Sequence, residues 1–220
     1  MTALLVCCLA TSFFCRAEPL NVYCDNWPGF CQADGRGFYL DLVSTIYQPH
    51  GYTIVPHIVP YKRASSMSSR SGGDMMLGVY RDELRNVLTP EYPDSADDLT
   101  VMMLKQWGPH WHGESSLAGQ QVLWPRGWGL EKERYRYYLT VGVLHAANET
   151  PDNIYRVLLR WIPTYPAFSK SERGEKLRRI WDQEMVSLIR SGELANIYRR
   201  NQLYDYYHKF IKEMEEKAAH

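Results

Sequence analysis

The chain predicts an α/β fold built on a parallel sheet. Three observations carry that expectation. Short segments rich in β-branched and aromatic residues alternate with amphipathic ones, in the order β-α-β-α-β, between residues 20 and 79. Gly, Pro and Asp-Gly pairs punctuate the changes of period. Strands joined through helices pair in parallel, with the helices packed on the faces of the sheet.

Leu20 to Tyr23 is the first strand candidate. A turn-rich loop from Asp25 to Gly37 follows, carrying Pro28, Gly29, Asp34-Gly35 and Gly37. Phe38 to Tyr47 places Phe38, Leu42, Val43, Ile46 and Tyr47 on one helical stripe, and Pro49 and Gly51 stop it. Tyr52 to Val59 reads as a strand, Tyr61 to Arg70 as a short helix ending at Gly72-Gly73, and Asp74 to Val79 as the third strand. In such sheets ligands sit beyond the carboxyl ends of the strands. The loops at Asp25 to Gly37 and Gly78 to Arg85 lie at those ends.

Leu99 to Leu104 is a further strand, leading into a middle region that holds Trp107, Trp111, Trp124 and Trp128. There Gln121 to Trp124 reads as a strand before the turn Pro125-Arg126-Gly127-Trp128-Gly129. Glu131 to Leu139 and Asp152 to Trp161 read as helices. From Tyr165 the chain reads as a return to the first unit. Ser169 with Glu172 makes a capping box. Leu177, Ile180, Trp181, Met185 and Leu188 form the stripe of a long helix that Gly192 stops. Leu194 to Arg200 is a short helix, and Tyr204 to His220 an amphipathic, charged tail.

The first 17 residues read as a secretory signal. Thr2 to Cys15 is apolar or small, and shorter than the roughly 20 apolar residues a membrane span needs. Cys15-Arg16-Ala17 offers small residues where a signal peptidase cuts. Export to the periplasm is therefore expected, with no span in the mature chain. Three of the five cysteines leave with that segment. Cys24 and Cys31 remain, flanking Trp27-Pro28-Gly29, and an oxidising compartment predicts a disulfide between them. Zinc fits less well, since the spacing is wrong and no His lies near in sequence.

Charge excludes some partners. Twenty-five basic residues balance 25 acidic ones, and no basic block suggests nucleic acid. Seven Trp and 16 Tyr supply core volume and also suit the walls of a small-molecule cleft. The most telling stretch is 78 to 92. An apolar run, Met75-Met76-Leu77, ends in Gly78, and Arg81 and Arg85 stand four residues apart in the turn that follows. Exposed backbone N–H groups beside a guanidinium are equipment for gripping a carboxylate.

The chain resembles the bacterial extracellular solute-binding proteins of family 3, which serve polar amino acid uptake. The segments that carry the likeness are Asp25-Asn26-Trp27-Pro28-Gly29-Phe30, Gly35 to Leu42, Gly78 to Tyr92, Ser116 to Val122 with Gly127 and Gly129, and Pro166 to Tyr198. The resemblance implies a two-lobed, type II clamshell that closes on a hinge. Residues 18–103 form the first lobe, 104–163 a second, reduced lobe, and 164–203 the return; 204–220 is the tail. It also implies a solute carboxylate held by Arg85 or Arg81, with Arg85 better placed by spacing. Trp27 and Tyr80 are expected as walls, Gly78 as a backbone contact, and Arg126, Gly127 and Trp128 as the second lobe's contribution. The strand that would end on an acidic receptor for the solute's amino group has no counterpart after Trp161.

The implied role is capture of an amino acid or related carboxylate by a monomer that serves an ABC-type permease. A sensor-associated module acting through a protein partner is the alternative, and a clamshell-derived enzyme of dehydratase type a more distant one. No cofactor or metal is expected. His110 and His112 lack a third ligand, and Ser65 to Ser71 lacks a nucleophile elbow.

Overall fold

Strand β1 (Glu18–Cys24) buries Leu20, Val22 and Cys24 on one face and Tyr23 on the other, the period of two that a sheet covered on both sides requires. The structure, a computed structural model, describes residues 17–69, 73–118, 121–122, 139–140, 154–204 and 207. The signal-peptide reading of 1–17 lies outside these residues except at Ala17, as do the helix expected at Glu131 to Leu139, nearly all of the tail, and Arg126, Gly127 and Trp128. The shortening expected of 104–163 falls largely outside them too.

After β1 come α1 (Phe38–Tyr47), β2 (Tyr52–Ile58), α2 (Tyr61–Ser69) and β3 (Met75–Tyr80). β1 pairs in parallel with β2 from Glu18 opposite Tyr52 to Cys24 opposite Ile58, and with β3 at Val22 and Met75. The β-α-β-α-β reading therefore holds element by element. A two-residue strand, β4 (Val87–Leu88), precedes the longer β5 (Ser95–Leu104). β6 (Gln121–Val122) and β7 (Leu139–Thr140) form a separate parallel pair. β8 (Ile154–Ser169), α3 (Glu172–Ser191) and α4 (Glu193–Arg200) complete the order. The main sheet runs β2-β1-β3-β8-β4, with β5 also on β8.

β8 corrects the helix expected at Asp152 to Trp161. Ile154, Val157, Leu158 and Trp161 fit a period of 3.6, but Tyr155, Val157, Leu159 and Trp161 fit a period of two equally well. The antiparallel ladder with β5, from Ser95 opposite Thr164 to Leu104 opposite Ile154, decides the matter. Pairing over that length outweighs local helix propensity. The division expected at 163 to 164 falls inside β8.

Two layers of helix flank the sheet. On one side α1, α3 and α4 enclose Val22, Phe38, Leu42, Met75, Leu77, Trp181 and Tyr198. On the other, α2 covers Tyr23, Met76, Val79 and Ala167. Tyr47 donates its hydroxyl to the Leu177 carbonyl at 2.9 Å, joining α1 to α3. Asp41, in the first turn of α1, accepts from Arg200 at 2.6 and 2.8 Å and ties α4 down. The capping expectation at Ser169 shifts by two residues. Ser171 is the N-cap of α3, and its side chain accepts from the Gly174 N–H at 3.0 Å. Gly192 ends the helix in the left-handed region, as expected. No helix among the described residues is long and apolar enough to cross a membrane.

Candidate functional site

The β1–α1 loop is held shut at its base. Cys24 and Cys31 form a disulfide across a separation of seven residues. Trp27 and Cys31 exchange backbone hydrogen bonds of 2.8 and 2.9 Å, which close the turn over Pro28-Gly29. Gly37 closes the loop at φ 126°, where a Cβ would lie 2.4 Å from the Phe30 carbonyl oxygen, so only glycine fits. Asp25 leaves the end of β1 and accepts the Tyr61 backbone N–H at 2.9 Å, satisfying the first free donor of α2.

These contacts set the edges of a cavity of about 300 Å³ beyond the carboxyl ends of the parallel strands. The β1–α1 loop contributes Asp25, Trp27, Pro28 and Phe30. Helices α1 and α2 supply Tyr39 and Tyr61. Strand β3 supplies Gly78 and Tyr80, and β5 supplies Ala96 and Asp97. Trp27 packs against Tyr61 and Tyr39, with ring centroids 5.9 and 6.2 Å away. Gly78, at φ 70°, lets that indole approach: a Cβ there would sit 2.7 Å from Trp27 Cζ3.

Carboxylates stand behind the rings. Glu83 accepts the Tyr61 hydroxyl at 2.7 Å and the Tyr80 N–H at 3.0 Å. The Tyr80 hydroxyl donates to Asp97. Burial raises the Glu83 carboxyl above its ordinary range despite those donors, and the Asp97 charge adds to the rise. Burial, followed by the Glu83 charge, pushes the Tyr61 phenol far up as well, so it remains a donor.

Asp94 lies beneath Gly78 at 1% exposure. It accepts the Gly78 N–H at 2.9 Å and the Thr164 hydroxyl at 2.6 Å, joining β3 to β8 where β5 begins. Burial drives its carboxyl from the usual 3.8 up to about 7, against those hydrogen bonds. A carboxyl raised above its unfolded value favours folding while protonated, and that contribution is lost as pH rises through the folded value. Stability is therefore expected to decline between pH 3.8 and about 7 by a component that Asp94→Asn removes. Urea unfolding across that window checks it, and an unaltered pH slope in the variant contradicts it.

Of the residues singled out in the sequence, Trp27, Gly78 and Tyr80 line this cavity, and Arg81 and Arg85 do not. Both arginines are exposed. Arg81 lies over the Tyr165 ring, 4.2 Å from its centroid, and donates to the Pro90 carbonyl at 3.1 Å. That pins the turn after β3 to β8. Asp25, Phe30, Tyr39, Tyr61 and Asp97 escaped sequence reasoning. One signal was available for Asp97, since the pair Asp97-Asp98 stands directly before the apolar run of Leu99 to Leu104. Among the described residues, no group of three or more His, Cys, Asp or Glu is arranged to hold a metal ion.

By sequence, the chain matches no family model and no curated relative. By structure it is similar to two-lobed binding proteins along most of its length. A binding component of an ABC transporter from Wolinella succinogenes, complexed with lysine, superposes with a TM-score of 0.65 at 13% identity, covering 83% of this chain and 95% of that one. The GluR0 ligand-binding core from Nostoc punctiforme, with L-glutamate, gives 0.64 at 15% identity, covering 83% and 98%. An L-cystine ABC transporter protein from Listeria monocytogenes gives 0.62 at 15% identity, covering 86% and 98%. The fold is therefore the α/β clamshell of substrate-binding proteins, as the resemblance implied.

Proposed function

We propose that this chain captures a small polar solute, an amino acid or a relative of one, between two lobes and presents it to an ABC-type permease outside the cytoplasmic membrane. The observation that carries this reading is the cavity of about 300 Å³ at the carboxyl ends of β1 and β3, walled by rings and floored by polar groups. The fold supports it, and so does the chemistry of what similar structures are named as binding: lysine, glutamate and cystine. The Cys24–Cys31 disulfide suits an oxidising, extracytoplasmic setting. No catalytic role is assigned to the chain.

Within this reading Trp27, Gly78 and Tyr80 contact the solute. A solute carboxylate is assigned to Arg85, since the Arg81 guanidinium lies over the Tyr165 ring and donates to the Pro90 carbonyl. Arg126, Gly127 and Trp128 are proposed as the second lobe's side of the site. The test is a thermal-shift screen of the mature chain against amino acids and small carboxylates. A solute at a hundred-fold excess over its Kd stabilises by about 2.7 kcal/mol. Arg85→Ala is expected to remove the shift that a carboxylate solute produces, while Arg81→Ala retains it. An undiminished shift in Arg85→Ala would defeat that assignment.

A further inference from the structure

Behind the cavity wall, three side-chain oxygens stand in a row. The Tyr39 hydroxyl lies 3.3 Å from the Thr164 hydroxyl, which lies 2.6 Å from Asp94 Oδ1. All three residues are buried. The other Asp94 oxygen, Oδ2, accepts the Gly78 N–H at 2.9 Å. Tyr39 lines the cavity, and its hydroxyl oxygen stands beside Gly78, 3.2 Å from where a Cβ on that glycine would be. The row therefore runs from a sealed carboxyl to the wall of the site.

Each hydroxyl carries one proton and can donate once, which fixes the direction of the whole row. While Asp94 is ionised its Oδ1 only accepts, and Thr164 donates to it. Between the two hydroxyls either can be the donor, and Thr164 has already used its proton, so Tyr39 must donate to Thr164. With a proton on Oδ1 the row reverses. Asp94 donates to Thr164, Thr164 donates to Tyr39, and the phenol proton is released. Oδ2 holds the Gly78 N–H in both forms. The net change is one proton taken up from the buffer.

We propose that Asp94, acting through Thr164, switches the Tyr39 hydroxyl between a donor turned inward and a donor offered to an acceptor oxygen of the solute, so that such a solute binds more tightly when Asp94 is protonated. The inference rests on the solute-binding reading. It gives Asp94 and Thr164 positioning roles and Tyr39 a contact with the solute. The Asp94 transition falls in the neutral range. Burial lifts it to about 7, the Asp97 charge adds to the rise, and hydrogen bonds from Gly78, Thr164 and Ser95 oppose it. The titratable groups that face Asp94 are Asp97 from β5, Tyr39 from α1 and Tyr198 from α4; β3 and β8 present Gly78 and Thr164. Burial raises both phenols well above their ordinary value, so neither loses its proton in that range. A solute that favours the protonated carboxyl binds with proton uptake, and its affinity falls as pH rises through the transition.

Calorimetric titration of the chain with L-glutamine, L-glutamate and L-lysine, at about pH 6 and about pH 8, tests this. The tightest of the three is expected to bind about ten-fold more tightly at the lower pH, the effect of one hydrogen bond. At neutral pH its heat is expected to differ between phosphate and Tris, because part of a proton is drawn from the buffer. Asp94→Asn keeps an oxygen for the Gly78 N–H and donates its amide to Thr164, as the protonated carboxyl does. It is expected to hold the low-pH affinity at both pH values. Tyr39→Phe is expected to hold the weaker affinity at both. Thr164→Val is expected to lose the pH dependence, and Thr164→Ser, which keeps the hydroxyl, to retain it. Equal or weaker binding at the lower pH overturns the relay and leaves the solute-binding reading standing. So does a pH dependence that survives in Asp94→Asn, which belongs to other groups, or in Thr164→Val or Tyr39→Phe, which is charge acting through space. The absence of binding by all three amino acids at both pH values overturns both readings together.

Discussion

A Gly78→Val protein is expected to lose its solute-dependent thermal shift altogether, and to be less stable than the parent chain. Gly78 has φ 70°, a region that costs a β-branched residue about 1–3 kcal/mol. A Cβ there would also lie 2.7 and 3.0 Å from two atoms of the Trp27 indole and 3.2 Å from the Tyr39 hydroxyl. The indole lines the cavity, so displacing it changes the cavity's shape. Gly78→Ala separates the two effects, since it carries the backbone strain with a smaller displacement of Trp27. The measurement is calorimetric titration with a bound solute alongside urea unfolding. Parental affinity in Gly78→Val would show that Trp27 and Gly78 do not form the wall of the binding site.

Trp181→Ala is expected to cost about 3–5 kcal/mol of folding stability. Trp181 is fully buried between the sheet and α1, and its indole N–H donates to the Tyr92 carbonyl at 2.8 Å. Truncation leaves a cavity and strips that carbonyl of its partner, two losses that add. Neighbouring Asp182 accepts the N–H groups of Glu91 and Tyr92 at 2.8 and 3.1 Å. The pair therefore clamps the segment that feeds Asp94 and β5. Trp181→Phe restores most of the volume without the hydrogen bond, and a loss of about 1–3 kcal/mol is expected for it. Denaturant unfolding of both variants checks the ordering. A Phe variant as unstable as the Ala variant would mean that the hydrogen bond, rather than the packing, dominates.

The first half of the fold was legible because its signals are local. The stripe of α1 and the β-branched run of β2 each show their period within ten residues, and Gly51 marks a turn by chemistry that does not depend on context. The β8 segment was not legible. Its 154–161 stretch satisfies both periods, and only a partner 61 residues distant in sequence, the Leu99 of β5 opposite Arg160, settles it. The same distance hid much of the site. Asp25 and Tyr61 meet through a single hydrogen bond across the sheet end, and Asp97 reaches the Tyr80 phenol only because β5 runs beside β8. Two arginines close in sequence drew attention to the 78–92 turn, where Arg81 turns out to brace β8. The pressure on Asp94 comes from burial, a property of the assembled fold that no local pattern announces.

A crystal structure of the chain grown with an amino acid that raises its melting temperature tests the account most directly. The expected result is that solute in the cavity at the carboxyl ends of β1 and β3, against Trp27, Gly78 and Tyr80. A solute bound elsewhere on the chain, with this cavity empty, would contradict it.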